Sequence, residues 1–293
     1  MNAPNHSTRL PVYFLSHGGG PWPYMEGPMR THFQLLEESL QDIPRQLPAR
    51  PAAVLVVSGH WEAGQFTVST APNPGMEYDY YGFPAETYRI RYPAPGSPQV
   101  AGRVQQLLQA AGWPVAVDAQ RGFDHGTFSM LKPIYPDADV PVVQLSLQAN
   151  LDPALHLAAG RALIPLRDEG VLIIGSGQSY HNLRLWNAAG ARPAAMFDAW
   201  LRQALLNRTP AQIQDALMNW EQAPAARLAH PREDHLLPLM VAAGAADGDP
   251  AVAVFGQLFM GSLAVSSFRF GAGTAASRFD QLAATVSTAG LRT

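Results

Sequence analysis

Four short runs of this chain are apolar at nearly every position and rich in β-branched residues: "VYFLS" from Val12, "AVLVVS" from Ala53, "VPVVQLSL" from Val140 and "VLIIG" from Val171. Unbroken runs of this length predict strands buried on both faces, as in the middle of a parallel sheet. "QFTVST" from Gln65 and "PVAVDA" from Pro114 predict weaker strands. Elsewhere the period changes to that of a helix. "SPQVAGRVQQLLQAAG" starts on Ser-Pro, carries apolar residues at helical spacing and stops on glycine. "DPALHLAAGRALIPLRDEG" opens on an Asp-Pro cap, and "RPAAMFDAWLRQALLN", "TPAQIQDALMNW" and "DHLLPLMVAAGAA" supply further helices. Strands alternating with helices predict a three-layer α/β/α fold around a central, largely parallel or mixed sheet.

The 26 prolines and 25 glycines are spread along the chain, and no internal repeat or linker divides it. One domain over 1–293 is expected, with its core at about 12–270. The segment 71–96 departs from the pattern. It is long, aromatic and proline-rich, the profile of an ordered functional loop that covers a site.

Composition narrows the chemistry. A chain of 293 residues, 47% hydrophobic, can bury a large core. Its formal charge of −3 gives no electrostatic case for a nucleic acid or an anionic membrane as partner. The absence of cysteine excludes disulfides, thiolate metal sites and thiol nucleophiles together. No signal-peptide pattern and no apolar run near 20 residues are present, so a cytoplasmic protein is expected.

The informative residues are histidines. His17 follows "VYFLS", His60 follows "AVLVVSG", His181 follows "VLIIGSGQSY", and His125, in "RGFDHGTF", comes after the weaker "PVAVDA" strand. Ligands of parallel α/β sheets bind outside the carboxyl ends of the strands, so four histidines at strand ends predict one shared crevice. His235, in "AHPREDHLLPL", sits near the start of an apolar helix with Glu233 and Asp234 beside it, and His230 is placed to buttress that turn. His6, His32 and His156 are assigned no role. Neutral imidazoles in such a cluster suit Zn, Fe, Cu or Ni. The glycines of "SHGGGPW" permit a tight turn presenting His17, and the stretch lacks the lysine of a phosphate loop. "HGGG" and "GSGQS" also leave a serine hydrolase with Ser176 open, although the Gly-x-Ser-x-Gly spacing is missing.

Taken together, "SHGGGPW", "SGHWE", "YDYYGFPAETYRIRYPAPG", "GFDHGTF", "IIGSGQSYHNL" and "AHPREDHLLPL" resemble the DODA-type extradiol ring-opening dioxygenases of the LigB superfamily. The resemblance runs from about Val12 to Phe270 with the motifs in family order. It implies a non-haem metal enzyme that cleaves a catecholic ring, such as that of DOPA or a related diol, with O₂. It implies His17, His60 and His235 as metal ligands. His181 matches an acid/base group or a fourth ligand, and His125 a second active-site histidine. It implies Fe(II) for activity, while three histidines would also hold Zn(II). In the protocatechuate branch the third protein ligand is a glutamate; here His235 stands in its place.

The aromatic loop is expected to cover the ring, with Tyr78, Tyr80, Tyr81 and Phe83 as aromatic surface and Arg89 or Arg91 pairing with a substrate carboxylate. Two other functions use the same cluster. A Memo-like binding or redox protein shares the fold, but the presence of both His125 and His181 favours catalysis. A zinc-dependent hydrolase would use the histidines to activate water.

Overall fold

The computed structural model describes residues 9–282. The six predicted strands form where the apolar runs place them: β1 Val12–Ser16, β2 Ala53–Ala63, β3 Phe66–Ser69, β4 Val115–Asp118, β5 Val142–Gln148 and β6 Val171–Gly177. Three more come later in the chain, β7 Ala251–Phe259, β8 Leu263–Phe270 and β9 Phe279–Asp280. They join one sheet in the order β4-β3-β5-β2-β6-β1-β8-β7-β9. Its centre, β5-β2-β6-β1, is parallel throughout, while β8 pairs antiparallel with β1 and continues into the β7–β8 hairpin. The sheet is therefore mixed.

Among the described residues, seven α-helices of eight residues or more flank it: α1 Gln34–Gln41, α2 Pro98–Ala110, α3 His125–Ile134, α4 Pro153–Ala162, α5 Ala191–Leu205, α6 Pro210–Met218 and α7 Leu237–Ala245. Local chemistry sets their ends. Ser97 and Asp152 cap α2 and α4, and Thr209 with Gln212 forms a reciprocal capping box on α6. α4 stops before Pro165, so the long pattern "DPALHLAAGRALIPLRDEG" becomes two helices.

Neighbouring residues of β6 show the three layers. A β-carbon at Gly175 would strike the Pro238 backbone in α7, whereas the next side chain, Ser176, bonds the Gly126 carbonyl in α3. Successive strand residues point to opposite faces, so α7 and α3 cover opposite sides of the sheet. The core fills both faces, with Val54 to Val57 and Leu172 to Ile174 buried completely. No helix among the described residues is long and apolar enough to cross a membrane. His6 and both ends of the expected 1–293 domain lie outside the described residues.

Candidate active site

Strands β2, β6 and β1 are neighbours and run the same way, so the segments after them meet at one edge of the sheet. His17 comes directly after β1. Its carbonyl accepts a hydrogen bond from Trp22 Nε1 at 2.7 Å, and the Gly18 carbonyl accepts one from Gln178 Nε2 at 2.6 Å. Gly18 has φ 78°, and a β-carbon there would strike the Trp22 ring, so both conformation and space require glycine.

His60 lies inside β2 rather than past its end. The register between β2 and β5 shifts between Val57 and Glu62, and that irregularity carries His60 to the crevice. His235 sits in the turn before α7, docked on the end of β6 by a bond from the Gln178 N–H to its carbonyl at 3.0 Å. His181, four residues past β6, donates its own N–H to the Ala229 carbonyl at 3.0 Å. His125 departs from expectation. It is the first residue of α3, delivered by a helix start rather than by β4. Asp124 caps that helix, accepting from Thr127 N at 3.0 Å and from Ser58 Oγ at 2.9 Å.

The five histidines converge. Ring centroids of His17, His60 and His235 lie 4.9, 5.3 and 4.5 Å apart in pairs. Each offers a ring nitrogen within 4.8 Å of the others. His60 Nδ1 is 3.2 Å from Asp79 Oδ2, and His235 Nδ1 is 2.9 Å from Asp234 Oδ2. A carboxylate on Nδ1 places the proton there and leaves Nε2 as a lone pair. Those two Nε2 atoms are 3.0 Å apart, and buried His17 beside them has no partner for either ring nitrogen among the described residues. Lone pairs this close repel unless a cation lies among them, so the donor set fits a divalent metal. Burial first, then the neighbouring histidines, holds the pKa of all three well below the ordinary value. They are neutral at pH 7, the form that ligates.

His125 and His181 flank this trio. The His125 ring lies 3.9 Å from that of His60, and its Nδ1 is 2.9 Å from Asp79 Oδ1. Asp79 also accepts from the His125 N–H at 3.0 Å, so one loop carboxylate spans two histidines. On the other side His181 stacks on His235, with centroids 3.4 Å apart and planes within 12°. Burial pushes its pKa down to about 4, opposed by Asp234 and reinforced by His125.

Other expected residues lie elsewhere. Tyr81 is 91% exposed, and Arg89 and Arg91 are exposed on the same loop. None of the three lines the cavity of about 550 Å³ beside His181 and Asp234. Tyr80 is the loop aromatic that reaches the site, its ring 6.0 Å from that of His125. His230 supports the other turn: its Nε2 donates to the Ser179 carbonyl at 3.0 Å, bracing the segment that leads to His181. His156 is structural, with both ring nitrogens bonded to backbone. Ser176 Oγ is buried and donates to the Gly126 carbonyl at 2.5 Å, which removes it as a nucleophile. Asp79 and Asp234, the carboxylates against the histidines, are both engaged by ring nitrogens, so neither is a free base for a zinc hydrolase. Sequence reasoning missed the roles of these two aspartates. The signals were an aspartate directly before His235 and one inside the aromatic loop.

A family model for the catalytic LigB subunit of aromatic ring-opening dioxygenase matches residues 11–267. The chain belongs to this family. It is 43% identical to a 4,5-DOPA dioxygenase extradiol of Beta vulgaris, covering 88% of this chain and 96% of that one. To the protein of the same name from Escherichia coli K12 it is 38% identical, covering 90% and 96%. A crystal structure of an uncharacterized Escherichia coli K12 protein superposes with a TM-score of 0.72 at 34% identity, covering 90% of this chain and all of that one. This LigB member is thus an extradiol dioxygenase, an oxidoreductase that opens an aromatic ring with O₂ and depends on a metal. A Memo-like, non-catalytic role is set aside on the same findings.

Proposed function

We propose that the metal is Fe(II), held by His17, His60 and His235, and that the substrate is a DOPA-like catechol. The observation that carries this reading is the buried His17 ring with neither nitrogen satisfied, beside the facing Nε2 atoms of His60 and His235. Fe(II) supplies open positions for the two catechol oxygens and O₂, and the one-electron chemistry that Zn(II) lacks.

The chain's own groups supply the rest. His181 is neutral at pH 7 and lies against a ligand without sharing the trio, so it accepts the proton that a catechol hydroxyl loses on binding. His125, its Nδ1 fixed by Asp79, keeps Nε2 as the second proton-handling nitrogen. Tyr80 closes that side against water. The substrate and O₂ are the small-molecule partners, and we place the reaction in the cytoplasm with no nucleic acid or membrane involved.

Anaerobic reconstitution with Fe(II), followed by O₂ uptake across a panel of catechols, tests the reading. One O₂ consumed per catechol, with a yellow ring-opened product, is expected from the Fe(II) form and not from the Zn(II) form. No uptake with any catechol would contradict it.

A further inference from the structure

We infer that Arg184 is the specificity residue that receives an anionic side chain of the catechol, a carboxylate a few atoms from the ring. This rests on the catechol reading above. Arg184 shares the cavity of about 550 Å³ with His181 and Asp234, a size suited to a small aromatic ligand. Both residues line it, His181 half-buried and Arg184 exposed. They are three positions apart in the chain, so their α-carbons are at most about 11 Å apart.

The backbone between them is tied down. Asn182, 6% exposed, accepts from Arg184 N at 3.1 Å and Leu185 N at 3.3 Å, and donates to the Leu228 carbonyl at 2.8 Å. The His181 N–H is tied to the Ala229 carbonyl. The backbone of the short 3-10 turn Leu183–Leu185 is therefore pinned beside His181.

Charge decides which cation is available. Arg232, also on the cavity wall, is taken by both carboxylate oxygens of Glu62. Arg121 bonds Asp124 at 3.1 Å and lies over the Trp61 ring. Arg89 and Arg91 do not line the cavity. Among the described residues Arg184 has no carboxylate partner, so its guanidinium is left to pair with an incoming anion in two-pronged fashion. Leu183 beside it is 70% exposed, an apolar surface for the carbon chain between ring and charge.

The test compares 3-(3,4-dihydroxyphenyl)propionate with its methyl ester on the Fe(II)-loaded protein. Arg184→Gln should lower the acid-to-ester ratio of kcat/KM by about 10- to 100-fold, the usual worth of a charge-assisted pair, and Arg184→Lys should restore part of it. Anaerobic calorimetry of the same acid on the Zn(II)-loaded protein should show the same loss of affinity in Arg184→Gln, and it reads the contact whether or not the ring opens. A ratio and an affinity within about twofold of wild type in Arg184→Gln would overturn the inference. So would a loss confined to Arg89→Ala or Arg91→Ala. Failure of wild type to turn over either compound would instead count against the catechol reading, with the calorimetry still deciding Arg184.

Discussion

Two buried polar clusters in this molecule are built on opposite rules. Around Arg202, on α5, every charge is answered. Its guanidinium donates to Asp198 at 2.9 Å, to Ser266 at 2.8 Å and to both oxygens of Asp280 at 2.8 and 2.9 Å, while Ser266 Oγ donates to Asp198 at 2.5 Å. That network ties α5, β8 and the short edge strand β9 together. Around His17 the opposite holds: two ring nitrogens are buried without partners and two more face each other. Satisfied buried groups hold a fold, whereas unsatisfied ones, which cost about 1–3 kcal/mol each, persist where another ligand completes them. What marks the His17 cluster is that both nitrogens of one ring are unpartnered among the described residues, beside two further nitrogens that face each other.

The largest effect expected within the histidine cluster, metal ligands aside, is on turnover. His181→Ala should keep its metal while kcat falls by about 10²–10⁴; loss of metal in step with activity would make His181 a fourth ligand. Next is the structural cluster. Arg202→Ala strands the buried Asp198 carboxylate and the half-buried Asp280 and should cost about 3–5 kcal/mol in a urea titration, with metal stoichiometry of the folded protein unchanged. A cost below about 1 kcal/mol would erase the contrast between the two regions.

A smaller change should follow at Asp79. Removing the carboxylate that orients both His60 and His125 should weaken metal binding by about 10–100-fold, with partial recovery in Asp79→Glu. Equal affinity in Asp79→Ala would show that the loop carboxylate orients nothing. A pH slope in the metal-free protein should follow from the same burial. The buried histidines stay neutral in the fold, while in the unfolded chain they protonate near pH 6.5. Above that pH neither state takes the extra proton, so stability is level. Below it the unfolded chain binds more protons, and stability should fall between about pH 6.5 and 5 by up to about 1.4 kcal/mol per pH unit for each such histidine. A level profile through that range would contradict their depressed pKa values.

Much of this was legible in the sequence, for a physical reason. Strands in the middle of a parallel sheet are buried on both faces, so β1, β2, β5 and β6 appear as unbroken apolar runs, and His17, His60 and His181 stand at or soon after the apolar runs of three of them. The hairpin β7–β8 was not legible. Its buried Ser266, Ser267 and Arg269 resemble surface residues, and only the fold reveals their partners: Arg202 for Ser266, the Ser16 N–H for Ser267 and Gln46 for Arg269. α3 was hidden because "HGTFSMLKPI" is buried at every position but Lys132, so it shows no helical stripe, and it carries Pro133. Asp79 escaped notice because it meets His125 across 46 residues of chain, within a loop rich in tyrosine. That loop offers Arg89 and Arg91 as cations for the substrate pocket, whereas the arginines that share a cavity with His181 are Arg184 and Arg232, the second paired with Glu62.

The central claim is that the unanswered nitrogens around His17 are a metal site, and one titration tests it most directly. Chelator-treated wild-type protein and His17→Leu are each titrated with Zn(II) while thermal unfolding is followed. Wild type should take up one equivalent and gain about 3–4 kcal/mol once free metal reaches about 100–1,000 times its Kd. His17→Leu should be at least as stable as wild type before metal is added, since it loses a buried group with no partner, and should show no stoichiometric uptake. Stoichiometric uptake by His17→Leu, or a large loss of stability in its metal-free form, would contradict the account.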